Sequence, residues 1–463
     1  MNKILRFRVW RFGLWVMLTI ACVLLPLYPV TSQPPPSQSV PDFSLSALQF
    51  NPERFQATLD QGNVADAVQQ LEIGWKQQFD QYYQQRLRST LLTPDQIAQS
   101  LSRIQTLTGR RSALIYAIAI REQLEVILLL PNGELVHHRV KLESPEALAN
   151  TFRSFRAGLV NTISPEPQYL PAAQQLYQWI IEPLNPALEQ QKINHLIFCL
   201  GGGLRSLPMA ALHNGRQFLV EQYGVSVIPA FNLLDQNPAR LRGLRVLAMG
   251  ASEFQNQLPL PAVPVELSAI AQIWQGEVFL NDRFTVDQLR QQRDSYPFGI
   301  VHLATHAAFT PGAVQNSFIQ FWDQPLALDQ LSKLDLRQPI VQLLVLSACR
   351  TAMGDLNAEL GFAGLAVQSG AKAALATLWS ISDAATVVVM SNFYQNLKTA
   401  PTKTEALRQT QVAMLSKKLS LNSPSIQRTL REVQLPETVT DLVDVDLSHP
   451  YYWAGFTMIG NPW

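Results

Sequence analysis

The chain contains three cysteines, Cys22, Cys199 and Cys349, and each stands alone. No Cys/His cluster has zinc-ligand spacing, and three thiols do not make a disulfide framework, so no metal or cofactor is expected. Cys22 falls inside an uncharged apolar run that continues past it, which suits a small apolar residue better than a lipid-attachment site. Cys199, between Ile197-Phe198 and Leu200, has the surroundings of a small core residue. Cys349 differs. It closes the apolar run of "LLVLSACRTAMGD", with Ser347, Arg350 and Thr351 beside it. A strand that only fills a core has no need of a thiol and an arginine at its tip.

A second apolar run, "GIVHLATHAAF", ends in the same way. The spacing predicts a strand from about 300 to 305, with His302 in its middle and His306 just past its end. The other strand is predicted over about 343–346, with Cys349 beyond it. Ligands of open parallel sheets bind at the carboxyl ends of the strands. If these two strands are neighbours, imidazole and thiol share one edge. A free thiol is only a few per cent ionised near neutral pH, and an adjacent imidazole that takes its proton makes a strong nucleophile. His302 reads as a hydrogen-bonded or packing histidine. His306 has small neighbours, Thr305, Ala307 and Ala308, which leave room for a substrate.

The elements that position these tips follow from periodicity. The chain has 463 residues, 47% of them apolar and 15% charged, with a formal charge of +1. That allows a large core and two or three domains, and gives no sign of nucleic-acid binding. Residues 46–110 read as a small helical module. Phe55, Leu59, Val64, Val68, Leu71 and Trp75 fall on one helical face, Gly62-Asn63 marks a turn, and Thr93-Pro94 opens a further helix. One such helix-turn-helix unit is too short for a repeat array. From 111 short apolar runs alternate with helical patterns. "SALIYAIAI", "QLEVILLLP" and "LVHHRVKL" come first, with a hairpin turn at Pro131-Asn132-Gly133. Helices are predicted around 145–162 and 171–190, then a buried strand from His195 to Leu200 and a sharp turn at Gly201-Gly202-Gly203. A second set begins at 243. Alternating strand and helix indicates a mostly parallel α/β sheet, here in two successive halves, 111–242 and 243–463.

The amino terminus follows another logic. Lys3, Arg6, Arg8 and Arg11 precede an uncharged stretch, Leu14 to Val30. Basic and then apolar is the order of an export signal, so residues 1–32 read as a signal peptide or membrane anchor and 33–45 as a Pro/Ser/Gln-rich tether. The expected location is exported, periplasmic or extracellular, or anchored to a membrane.

Small-Ala-Cys-Arg after an apolar strand, with a histidine upstream, is similar to the caspase arrangement. The wider pattern resembles the CHAT family, caspase-like cysteine peptidases related to separase and caspases. The likeness is carried by "GGGLRSLPMAALHNGRQFLVEQYGVSVIPAF", "HLATHAAF", "VLSACRTAMGD", "AELGFAGLAVQSGAKAALATLWSISDAAT", "FYQNL", "EALRQTQ" and "HPYYWAGFTMIGNPW", in order over about 110–463. It implies caspase-like, mostly parallel sheets flanked by helices, in two tandem halves behind the helical module, with only the second half catalytic. It also implies a cysteine endopeptidase acting on a protein or peptide, with His306 and Cys349 as dyad. Backbone N–H groups of Ala307 and Cys349 would form the oxyanion hole, where caspases often have glycine at the former position. Ser347 and Asp383 would flank the primary pocket, and an acid there would favour cleavage after Arg or Lys. Asp383 also fits a capping box, Ser380 to Asp383, at the start of the next helix. Asp355 and Glu359 are further acidic candidates. The alternative is an inactive caspase-like scaffold that binds a protein partner through the helical module. "GGGLRS" lacks the Gly-Lys-Ser/Thr of a phosphate loop and reads as a tight turn.

Overall fold

The structure is a computed structural model that describes residues 50–162, 167–238, 241–351, 355–424, 426–427 and 446–463, without the side chains of 348–350. The expected signal or anchor (1–32) and tether (33–45) lie outside the described residues. Among the described residues no helix is long and apolar enough to cross a membrane.

Three helices come first: α1 (Pro52–Asp60), α2 (Val64–Tyr82) and α3 (Pro94–Thr108). Their starts follow from capping chemistry. The Asn51 side chain accepts from the N–H of Arg54, and Thr93 with Gln96 forms a capping box, with Pro94 in the first turn. The apolar face of α2 packs onto the sheet, where Trp75 stacks on Tyr116 at 5.9 Å. Glu72, on the same helix, is fully buried. It accepts from the Tyr116 hydroxyl and from the N–H groups of Phe231 and Asn232, each at 2.9 Å. Burial pushes its carboxyl up, and these three donors oppose the rise.

The strands are β1 (Ser112–Ile120), β2 (Gln123–Leu129), β3 (Leu135–Lys141), β4 (His195–Leu200), β5 (Gly224–Ile228), β6 (Val246–Gly250), β7 (Gly276–Leu280), β8 (Ile300–Phe309), β9 (Phe318–Gln320), β10 (Pro325–Ala327), β11 (Leu343–Thr351), β12 (Ala373–Thr377) and β13 (Phe456–Gly460). They form one sheet in the order β10-β9-β8-β11-β12-β13-β5-β4-β1-β2-β3, with β6 paired to β8 and β7. Its centre is mostly parallel, and β13 runs antiparallel to β12 and parallel to β5. The two strand sets expected as tandem halves are thus joined edge to edge. Helices cover the faces: α4 (Ala147–Val160), α5 (Leu170–Ile180), α6 (Asn185–Gln190), α7 (Leu219–Gln222), α8 (Val263–Ile273), α9 (Val286–Ser295), α10 (Leu356–Ala363), α11 (Leu365–Ser369), α12 (Asp383–Leu397) and α13 (Lys403–Leu415). The single helix predicted over 171–190 is two, α5 and α6. Pro183 and Pro186 fall between and at their ends, and a one-turn 3-10 segment over Glu182–Leu184 separates them.

Both tip strands are longer than predicted. β6 pairs with β8 only over Ile300–Ala304, and β9 takes up the same edge of β8 at Ala307 and Ala308. His306 is therefore within β8, not past its end. β11 continues through an irregularity between Leu346 and Ala348 and pairs with β8 as far as Thr351, so Cys349 also lies within a strand.

Candidate active site

β8 and β11 are adjacent and parallel, as the dyad reading requires. Beyond the irregularity Ala348 stands opposite His306 and Cys349 opposite Ala307. The histidine and cysteine positions are thus on neighbouring strands, one residue out of step. Ala307 and Cys349, the two expected oxyanion positions, are direct register partners. The Cys349 side chain lies outside the described residues.

His306 sits in the gap between the part of β8 paired to β6 and the part paired to β9. The chain leaving β6 fills that gap. Gly250 permits a tight exit, since a Cβ there would lie 2.4 Å from the Ala304 carbonyl oxygen. Residues 251–262 then loop over the strand tips, closed by Leu260 N–H donating to Ser252 at 2.9 Å and tied by Ser252 N–H to Asn281 at 2.9 Å. The loop delivers two contacts to the imidazole. The Phe254 ring lies 4.7 Å from it, centre to centre, and the Leu258 carbonyl lies 2.8 Å from Nε2. A carbonyl only accepts, so Nε2 carries the hydrogen and Nδ1 is left as the basic atom. The Leu258 side chain is 80% exposed, so its contribution to His306 is made by the main chain.

Ser347 is buried, and its hydroxyl donates to Glu266 Oε2 at 3.3 Å. Glu266 Oε1 lies 3.0 Å from His302 Nε2, but the pair is out of line for a hydrogen bond. The Tyr394 hydroxyl meets His302 Nδ1 at 3.2 Å. His302 is fully buried and does the packing work expected of it.

Asp383 is half-buried at the first position of α12. The cap of that helix is Ser382, whose hydroxyl accepts from Ala385 N–H at 3.4 Å. The capping box expected from Ser380 to Asp383 is therefore not the one formed, because the helix starts two residues later. The Asp383 carboxylate instead reaches across to the loop, where Ala262 N–H donates to it at 3.4 Å. Burial pushes this carboxyl above the usual range and the Glu266 charge adds to the rise, while Ala262 and the charge of His306 oppose it. Asp383 is thus within electrostatic reach of both His306 and Glu266.

The other acidic candidates serve elsewhere. Asp355 caps α10, accepting from the N–H groups of Asn357 and Ala358. Glu359 is fully buried against the Gly203–Ser206 turn. Cys199 is fully buried, its thiol 3.5 Å from the Pro229 carbonyl, and burial pushes it well above the ordinary thiol range. Among the described residues no three His, Cys, Asp or Glu side chains gather as a metal site.

Sequence reasoning missed Leu258, Phe254 and Glu266. A carbonyl contribution leaves no residue-type signature. Glu266, a lone acid in the apolar helix "VPVELSAIAQI", was a usable signal.

A family model for the CHAT domain matches residues 170–461. The chain belongs to the CHAT family. The matched span begins within the first strand set and takes in both tip strands. No curated protein matches the chain. Among solved structures, the Saccharomyces cerevisiae separase–securin complex is similar in two crystal structures, at 2.6 and 3.0 Å resolution. The TM-scores are 0.46 and 0.49, each with 9% identity over 87% of this chain and 34% of the matched chain. This CHAT chain thus spans about a third of the length of the chain it matches.

Proposed function

We propose that the chain is a caspase-like cysteine endopeptidase with Cys349 as nucleophile and His306 as general base and acid. The observation that supports it best is the parallel pairing of β8 and β11, the neighbouring strands that carry His306 and Cys349. The thiol proton passes to Nδ1 of His306, and the thiolate attacks the scissile carbonyl carbon. Charge on the carbonyl oxygen is met by the N–H groups of Ala307 and Cys349. The imidazolium, steadied by the Leu258 carbonyl, then protonates the leaving amine. Water releases the acyl group by the reverse sequence. The reading requires the one-residue offset between His306 and Cys349 to be taken up at the strand tips.

The substrate side chain before the scissile bond is a cation, received by Asp383, with Ser347 flanking the same pocket. The carboxylate is half-buried, not consumed as a helix cap, and within reach of the His306 charge, which supports a pocket role. Cleavage of a peptide library by the wild type and by Cys349→Ala tests the proposal. Cleavage after Arg or Lys, lost in Cys349→Ala, is the expected result. No cleavage by either protein would leave an inactive scaffold, with the helical module as a partner-binding element.

A further inference from the structure

The stretch of β11 that carries Cys349 follows an irregularity in the strand. Among the described pairs, β12 meets β11 at Leu344 and Val345, before that irregularity. From Ala348 to Thr351 the strand pairs with β8, and Thr351 N–H donates to the Leu378 carbonyl at 3.3 Å. Five residues after Thr351 the chain enters α10, which anchors it beyond the tip.

Helix α10 is gripped from two sides by residues far away in sequence. One turn into the helix, the Glu359 carboxylate enters the turn that follows β4. Gly203 N–H donates to Oε2 at 2.8 Å and the Ser206 hydroxyl to Oε1 at 2.5 Å. The Arg205 guanidinium, almost fully buried, supplies the opposite charge from the same turn. Arg205 is itself held by α2, its Nη2 donating to Gln78 at 2.7 Å and its plane 5.3 Å from the centre of the Phe79 ring. Gly203, at φ +83°, takes the left-handed conformation that lets the turn aim its N–H at the carboxylate. From the other side the Tyr83 hydroxyl lies 3.2 Å from the Gly361 carbonyl and 3.3 Å from that of Leu360. The approach is close: a Cβ on Gly364 would stand 2.6 Å from the Tyr83 hydroxyl oxygen. The Gly-rich turn thus receives a carboxylate from the polypeptide itself, on the helix that follows the candidate nucleophile's strand.

We propose that Glu359, clamped by the Gly203–Ser206 turn and backed by Tyr83, is a positioning residue for the Cys349 strand tip, so that the amino-terminal helices and first strand set govern the geometry of the nucleophile. This rests on the peptidase reading for its consequence and on the clamp for its substance. Displacing a nucleophile by about 1 Å can cost on the order of 100-fold in rate. Glu359 acts through α10.

The test uses the full chain with Glu359→Gln, Ser206→Ala and Tyr83→Phe. Hydrogen exchange of the amides over 346–351 reads how firmly the tip is held and needs no activity. The pH profile of Cys349 alkylation by iodoacetamide, followed by mass spectrometry of its peptide, reads whether thiol and imidazole stay paired. In Glu359→Gln exchange over 346–351 should quicken on the order of tenfold, the size of one lost hydrogen bond to a charged group. The alkylation midpoint should rise towards the ordinary thiol value of about 8.5. On a cleaved peptide kcat should fall with KM held. Ser206→Ala and Tyr83→Phe should move both readouts the same way by less, and they carry the test if Glu359→Gln does not fold. Unchanged exchange and an unchanged midpoint, whatever the loss of thermal stability, would overturn the proposal. A wild-type midpoint already at the ordinary thiol value and unmoved by His306→Ala would instead defeat the peptidase reading, and the exchange data would still decide the clamp.

Discussion

His306 donates from Nε2 to the main-chain carbonyl of Leu258 at 2.8 Å, and no carboxylate shares that bond. A carbonyl orients the ring and fixes its tautomer without adding a negative charge beside it. The basic atom that results is Nδ1 of His306. Replacing it, as His306→Ala, should move the alkylation midpoint of Cys349 up to that of an ordinary thiol and abolish cleavage. A midpoint equal in wild type and variant would remove the dyad.

Asp383 and Ser382 divide two roles that are separable by substitution. Ser382→Ala should cost about 1 kcal/mol of stability, the usual value of a lost helix cap, and leave cleavage preference intact. Asp383→Asn should abolish the preference for basic residues. Its effect on stability has a definite sign. The folded carboxyl is pushed above its ordinary value, so its stabilising contribution is present below the unfolded value and lost as pH rises through the folded one. Asp383→Asn should therefore melt higher than wild type near neutral pH, with the gain vanishing below about pH 4. A lower melting temperature at neutral pH, together with an unchanged preference, would return Asp383 to a structural role.

Gly250 sits where β6 parts from β8. Gly250→Ala would drive a Cβ to 2.4 Å from the Ala304 carbonyl oxygen, and backbone must move to admit it. The expected cost is about 1–3 kcal/mol, with a loss of activity because the loop that reaches His306 starts here. Melting curves and kcat on the same preparation check it.

His195 is buried between Ser112 and Ser226, at 2.9 and 3.0 Å, and burial lowers its pKa from 6.5 to about 3. The unfolded chain binds the proton more readily than the folded one. Stability from this group is complete above the ordinary value near 6.5 and drains away as pH falls towards 3. His195→Gln should flatten that part of the stability–pH curve, measured by denaturant titration. A parallel slope in wild type and variant would reject the assignment.

Residues 1–32 carry the export expectation. Amino-terminal sequencing of the mature protein should find them removed, or membrane fractionation should find them embedded. Full-length chain recovered from a soluble cytoplasmic fraction would contradict both.

The strands that carry His306 and Cys349 were legible as apolar runs of strand length, though both residues proved to lie within them and not past their ends. Helix starts at Thr93-Pro94 and the hairpin at Gly133 were legible from local chemistry alone. What escaped reading is non-local. The extension of β8 past Thr305 depends on β9 occupying an edge that β6 leaves. The choice of Ser382 over Ser380 as cap turns on where α12 meets the loop at Ala262, since both serines offer the same hydroxyl. Glu359 was read as a further acidic candidate for the pocket because its receiving turn lies in the other strand set, and no periodicity links the two.

Strand β13 is flanked on both sides by strands of its own chain, β12 and β5. An edge left open at that place could be completed only by a second molecule, and its occupancy would follow a dissociation constant. Here the closing strand arrives on the same polypeptide, so the joint has an effective concentration and no dilution limit. Dilution has no purchase on the seam between the two strand sets, because every strand that meets there belongs to one polypeptide.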